Sequence, residues 1–280
     1  MSNKKPIVAI LYDFDSTLSK SDMQNFGFIP SLGMTPAEFW EQTTIFSKET
    51  GCERTLSYLY TMLKLAKEKG ISMTKDYLYQ MGKPIEFFPG VLSWFSRINE
   101  YGREQGVQVE HYLVSSGNKE IVEGSQIAHE FKQIYGCEYY FDEKTGEVVW
   151  PKLVINYTQK TQYFFRIAKG AYDATDDESV NAKAPKKRIP YSNMIYIGDG
   201  MTDIPSMIIV KNNGGKSIAV YPQGKEEKVQ SLYEDGRVNY VCAANYREGS
   251  RMDKIVKLII KSVALQTQLE INENRNPFQD

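Results

Sequence analysis

The stretch that most constrains this chain is Ile7-Val8-Ala9-Ile10-Leu11-Tyr12-Asp13-Phe14-Asp15-Ser16-Thr17. An apolar run long enough for a buried strand ends on two aspartates one residue apart, which lead into a Ser-Thr turn. A run apolar at nearly every position suits a parallel strand covered by helices on both faces. In such sheets ligands bind beyond the carboxyl ends of the strands, where Asp13 and Asp15 are delivered. Two carboxylates so placed repel each other unless a cation or a proton sits between them. The plainer alternative is that both cap a turn.

The totals bound the possibilities. At 280 residues the chain can bury a large core and holds one domain plus an insertion. Basic side chains number 34 and acidic ones 35, so no strong basic field exists to attract nucleic acid or an anionic membrane. Three cysteines, Cys52, Cys137 and Cys242, are too scattered for a disulfide framework or a zinc site. The first apolar run is too short for a signal peptide or a membrane span, so the cytoplasm is the expected location.

From Leu18 to Ile85 the pattern is helical. Thr35-Pro36-Ala37-Glu38 is a capping box with proline at the first helical position, opening a helix that carries Phe39, Trp40 and Phe46. A second helix is expected from Cys52 to Lys69 with Leu56, Leu59, Tyr60, Leu63 and Ala66 inward, and a third from Thr74 to Gly82. Because this block separates the first strand from the next, it is read as a helical cap standing outside the sheet. Later elements are a helix Val91–Gln105, a strand Val107–Val114, a helix Asn118–Ile134, and a hairpin of Cys137–Phe141 with Glu147–Asn156. A helix Thr158–Ala168, strands Met194–Ile197, Ser217–Val220 and Val238–Cys242, and an amphipathic helix Ser250–Leu269 complete the reading. Residues 170–190, acidic at Asp173, Asp176, Asp177 and Glu178 and basic at Lys183, Lys186, Lys187 and Arg188, read as a solvated loop.

Three further stretches follow the first in order: Leu113-Val114-Ser115-Ser116-Gly117, then Lys160, then Ile195-Tyr196-Ile197-Gly198-Asp199-Gly200-Met201-Thr202-Asp203. Together the four resemble the motifs of the haloacid dehalogenase superfamily of hydrolases, most closely its phosphoserine-phosphatase-like branch. The resemblance covers roughly two thirds of the chain. It implies an α/β three-layer sandwich with a parallel, Rossmann-like sheet, residues 1–17 and 86–280 forming the catalytic core and 18–85 an inserted helical cap. It also implies Mg²⁺-dependent hydrolysis of a small phosphorylated metabolite through an aspartyl-phosphate.

On that resemblance Asp13 is nucleophile and metal ligand, Asp199 closes the metal site, and the carbonyl of Asp15 supplies a further oxygen. The Asp15 carboxyl serves as acid and then base; dehalogenase members do not use this second aspartate, so its presence points to phosphoryl chemistry. Ser115 and Lys160 hold the transferring phosphoryl group, and Asp203 supports the metal's waters and orients Lys160. Ser116 stands where the family has glycine, and Lys152 and Lys169 compete with Lys160 for the cationic role. His111 and His129 are ordinary structural histidines on this reading. Asp22 and Arg54 are the cap residues placed to meet the ammonium and carboxylate of a phosphoserine-like ester, unless they are surface charges. A phosphotransferase or mutase is the alternative within enzymes, and a phospho-acceptor regulatory domain the alternative outside them. Asp15 argues against the last, since a receiver has no leaving alcohol to protonate.

Overall fold

The computed structural model describes residues 5–183 and 187–273. Seven strands, β1 (Ile7–Tyr12), β2 (Gln108–Asn118), β3 (Gln133–Phe141), β4 (Val148–Leu153), β5 (Met194–Gly198), β6 (Lys216–Tyr221) and β7 (Tyr240–Ala243), form one sheet. Its order is β4-β3-β2-β1-β5-β6-β7, and every pairing is parallel except that of β3 with β4. The opening apolar run is thus the central strand, and Val8 through Tyr12 are fully buried.

Four helices, α1 (Phe28–Ser31), α2 (Pro36–Thr50), α3 (Arg54–Glu68) and α4 (Lys75–Gly82), lie between β1 and the next core element. That element is α5 (Val91–Glu104), followed by α6 (Lys119–Glu123), α7 (Lys160–Lys169), α8 (Asp177–Asn181), α9 (Ile204–Asn212), α10 (Glu227–Glu234) and α11 (Arg251–Glu273). Successive residues of a strand face opposite sides of the sheet. Tyr12 meets Trp94 and Phe95 of α5, its hydroxyl accepting from the Trp94 indole at 2.8 Å. Leu11 is paired in register with Tyr196, whose ring packs on Phe164 of α7 5.4 Å away. Helices therefore cover both faces. Among the described residues, no helix is long and apolar enough to cross a membrane.

The helical insertion is tied to the core at three places. Its entry and exit segments run side by side, with Lys20 N–H donating to the Glu86 carbonyl and Phe88 N–H to that of Leu18, both at 2.9 Å. The β3–β4 hairpin meets it through Val148 N–H on the Met73 carbonyl at 2.8 Å and the Tyr139 hydroxyl on the Leu59 carbonyl at 2.8 Å. Helix α4 crosses α6 closely enough that a Cβ on Gly124 would overlap the Tyr79 carbonyl, and one on Gly82 would overlap that of Ile121. The capping box forms as expected, with Thr35 N–H donating to Glu38 Oε2 at 2.7 Å and Glu38 N–H to Thr35 Oγ1 at 3.3 Å.

Three sequence expectations need correction. Helix α3 starts at Arg54, with Glu53 as its cap, and buries Thr55, Tyr58, Leu59, Met62, Leu65 and Ala66. Tyr60 faces outward and stacks on Phe46 at 4.4 Å. The hydrogen bonds from Tyr139 to Leu59 and from Tyr58 to the Ser116 carbonyl decide which face turns in. The helix expected over Asn118–Ile134 is short: α6 stops at Glu123, beside the crossing with α4, and β3 begins at Gln133 in parallel pairing with Tyr112. Residues 170–190 are not simply a solvated loop. Arg166 donates to the carbonyls of Asp173, Ala174 and Asp176, Ile189 is buried, and Arg188 pairs with the buried Glu110. Lys186 lies outside the described residues.

The crossing of α4 and α6 leaves no room for a side chain. Gly124→Ala should lower the unfolding free energy by about 1–3 kcal/mol, the usual cost of overpacking. Urea denaturation checks this, and an unchanged midpoint would mean that the two helices are not seated as described.

Candidate active site

The site is built where β1, β2 and β5 end. Asp13 follows β1 and is fixed by its N–H donating to the Ile197 carbonyl of β5 at 2.9 Å. The turn after it reverses sharply, with the Phe14 carbonyl accepting from the N–H groups of Thr17, Leu18 and Ser19. Ser16 takes a left-handed φ of 55° in that turn, a conformation that costs about 1–3 kcal/mol and survives only where surroundings enforce it. Asp15 then points toward the insertion, its Oδ1 accepting from Met23 N–H at 2.8 Å. One strand end thus sends two carboxylates in different directions.

Lys160, the first residue of α7, is 1% exposed and donates to Asp13 Oδ1 at 2.8 Å and to Asp203 Oδ1 at 2.7 Å. Of the three lysines weighed from sequence, it alone reaches Asp13: Lys152 pairs with Glu138, and Lys169 with the carbonyls of Val180 and Ala182. Asp203 is fully buried and also accepts from the Tyr196 hydroxyl at 2.6 Å. Gly198 makes this possible, since a Cβ there would overlap the Asp203 carboxylate. Asp13, Asp199 and Asp203 bring carboxylate oxygens within 4.8 Å of one another. Ser115 is buried at the end of the parallel stretch of β2, its Oγ accepting from Gly117 N–H at 2.9 Å.

Charge does not balance in this cluster. Burial, then the neighbouring Asp203 charge, raises Asp13 to about 6 against the pull of Lys160. Burial, then Asp203 and Asp13, raises Asp199 to about 8. Burial, then Asp22 and Asp13, lifts Asp15 well above the usual carboxylate range. For Lys160 burial works against the charge, but the two aspartates outweigh it and raise its pKa. Three converging carboxylates with one ammonium form an oxygen-only donor set with surplus negative charge, which fits a hard divalent cation.

Above the carboxylates lies a cavity of about 1030 Å³, shared between core and insertion. Asp13, Asp15, Ser115, Lys160 and Asp199 line its floor, and Asp22 and Arg54 line its wall. All these sequence-derived residues therefore meet in one space, whereas Asp203 sits just behind it. His111 is buried on the other face of the sheet, bonded to Tyr12 and Asn99, and burial lowers its pKa to about 3; His129 is exposed. Sequence reasoning missed Tyr196, although alternation along β5 could have placed it on the Leu11 face. It also missed Gln24, Thr43 and Tyr58 on the cavity wall, which carry no local signal.

Loss of Lys160 would leave Asp13 and Asp203 without their buried partner. Lys160→Met should cost about 3–5 kcal/mol in urea denaturation with chelator present. Asp13, already raised by burial, would lose the pull of Lys160 and titrate higher still, so the loss should be greater at pH 8 than at pH 5. A loss independent of pH would contradict the pairing.

No family model matches the chain. An uncharacterised protein of Borreliella burgdorferi is 27% identical over 280 residues, an alignment spanning 90% of this chain and 96% of that protein. Among solved structures, a haloacid dehalogenase family hydrolase of Salmonella enterica serovar Typhi superposes with a TM-score of 0.59 at 16% identity, over 92% of this chain and 73% of that one. A phospho-aspartyl intermediate analogue of phosphoserine phosphatase superposes at 0.55 and 16% identity, over 91% and 99%. The chain therefore shares the fold of a haloacid dehalogenase family hydrolase and of phosphoserine phosphatase.

Proposed function

We propose that this chain is a divalent-cation-dependent phosphomonoesterase that forms an aspartyl-phosphate on Asp13. The observation that carries the reading is the divergence of Asp13 and Asp15 from one strand end, the first toward Lys160 and the acidic cluster, the second toward the insertion. Two carboxyls so placed can take separate parts in one reaction.

In the first step a carboxylate oxygen of Asp13 attacks phosphorus, a P–O bond to Asp13 forms, and the bond to the leaving oxygen breaks. The departing alkoxide takes its proton from Asp15, whose burial raises its pKa well above the usual carboxylate range and so favours the protonated form. In the second step Asp15, now ionised, accepts a proton from the water that attacks phosphorus. Asp13 is released as the carboxylate and inorganic phosphate departs. Ser115 and Lys160 hold the phosphoryl oxygens, and Lys160 keeps Asp13 oriented through its bond to Oδ1. Asp203 and Tyr196 fix Lys160 in turn.

Asp13, Asp199 and the carbonyl of Asp15 would hold Mg²⁺. When bound, the cation neutralises carboxylate and phosphoryl charge and so permits attack of one anion on another. Residues 18–85 are read as the cap that closes the cavity, with Asp22 and Arg54 on its wall able to meet a cationic and an anionic substituent of a small ester.

Hydrolysis of p-nitrophenyl phosphate tests the reading. Activity should vanish with EDTA and return with Mg²⁺, and Asp13→Asn should lower kcat by at least about 10⁴ while the melting temperature holds, since an amide cannot attack phosphorus. Turnover within about tenfold of wild type by that variant would exclude Asp13 as the nucleophile.

A further inference from the structure

Helix α11 has two apolar faces. Met252, Val256, Ile260, Val263 and Ala264 are buried where it packs on α5 and β7. A surface helix of a globular protein ordinarily turns charged and polar residues to the opposite side. Here the opposite side carries Leu258, Leu265 and Leu269, which are 66%, 51% and 57% exposed. With Ser262 between the first two, the steps along the chain are four, three and four residues, the a/d alternation of a heptad. On a helix such positions form one stripe.

The last turns of α11 take no support from the rest of the chain. Ala264 is its last buried residue, and none from Leu265 to Glu273 is buried. A helical segment that short is marginal in water by itself, because most helical stability in proteins comes from packing an apolar face. Single exposed leucines are ordinary, but a continuous row of them marks a contact surface.

The charges along the stripe select its occupant. Lys254 and Lys261 lie in the first half of the helix and Glu270 and Glu273 at its end, all four exposed. A lipid surface is disfavoured, since an interfacial helix presents a basic face to anionic headgroups, whereas this one ends in acids and the chain has a formal charge of −1. A second copy of the same helix, laid antiparallel, suits both features. A two-fold contact needs a patch that complements itself. Antiparallel a/d layers set Leu258 of each copy against Leu269 of the other and Ser262 against Leu265, so every layer contains a leucine. The basic half of each helix then lies along the acidic end of the other, and their dipoles oppose. Parallel pairing would bring like charges together.

We infer that the chain forms a two-fold symmetric dimer through the outer face of α11, with the two helices antiparallel. No residue of α11 lines the active-site cavity, so the inference stands apart from the phosphomonoesterase reading.

Sedimentation velocity of the wild-type chain at about 50 μM should give a species of twice the chain's mass. Leu265→Lys combined with Leu269→Lys should give a folded monomer, with Kd raised at least about a hundredfold and the far-ultraviolet circular dichroism of a folded chain. If that pair unfolds the protein, Leu265→Gln with Leu269→Gln makes the same comparison. Lys254→Glu with Lys261→Glu should raise Kd severalfold at low salt and little at about 1 M salt. Adding Glu270→Lys and Glu273→Lys should restore the wild-type Kd, because the reversed helix again complements itself. A monomeric wild-type chain overturns the inference, and co-sedimentation of that monomer with phosphatidylserine vesicles would assign the stripe to a lipid surface instead. A dimer that the leucine variants leave intact, or one that the fourfold charge reversal fails to restore, overturns it as well.

Discussion

Surplus negative charge at the end of β1 is the constraint from which the rest of this structure follows. Two unit anions about 4 Å apart repel by about 4 kcal/mol at the effective dielectric of a protein surface. Three carboxylates converge here, and one lysine answers them. Lys160 cannot sit between Asp13 and Asp203 unless α7 starts just there, and Asp203 cannot reach it unless Gly198 leaves room. The strand order supplies the rest, because β1 lies between β2 and β5 and so gathers three loops at one edge. A core so arranged is stabilised less by the charges themselves than by the hydrophobic sheet that holds them in place, with Val8 to Tyr12 fully buried beneath. Strain in the backbone at Ser16 belongs to the same arrangement, since the turn that sends Asp15 away from Asp13 requires it.

The insertion turns this charged edge into an enclosed site. Contacts with the β3–β4 hairpin and with α6 set its position, and the paired segments at Ser19 and Phe87 join it to the core. Floor and wall therefore have different compositions. Charged groups crowd the floor, whereas the wall from residues 18–85 sets the rings of Trp40 and Tyr58 among the charged Asp22, Lys48, Glu53 and Arg54.

Much of the floor was legible in the sequence because its residues are carried by short motifs with local causes. An apolar run ending in Asp13-Phe14-Asp15 could form little else than a buried strand with acids at its exit, and Gly198-Asp199-Gly200 repeats the pattern at β5. The capping box at Thr35 was legible for the same reason, as both of its bonds lie within four residues. What escaped depends on partners distant in sequence. The helix expected through Ile134 gives way to β3 because pairing with β2 outweighs local preference, and α3 turns its face toward Tyr139, some 80 residues away. Arg188, read as part of a solvated loop, finds the buried Glu110, with which no local rule connects it. Gln24, in the turn Met23–Asn25, and Thr43, in the middle of α2, carry no local signal of the cavity they border.

The central claim is that Asp13 carries the phosphoryl group between two chemical steps, and it can be examined on the protein itself. Enzyme mixed with substrate and Mg²⁺ is quenched in acid within the first turnover, digested with pepsin and analysed by mass spectrometry, using Asp15→Asn to slow the second step. The account predicts one added phosphoryl group, labile to hydroxylamine, on the peptide containing Asp13 and at no other aspartate. Rapid product release with no phosphorylated peptide at any quench time, or a phosphoryl group on another residue, would contradict it.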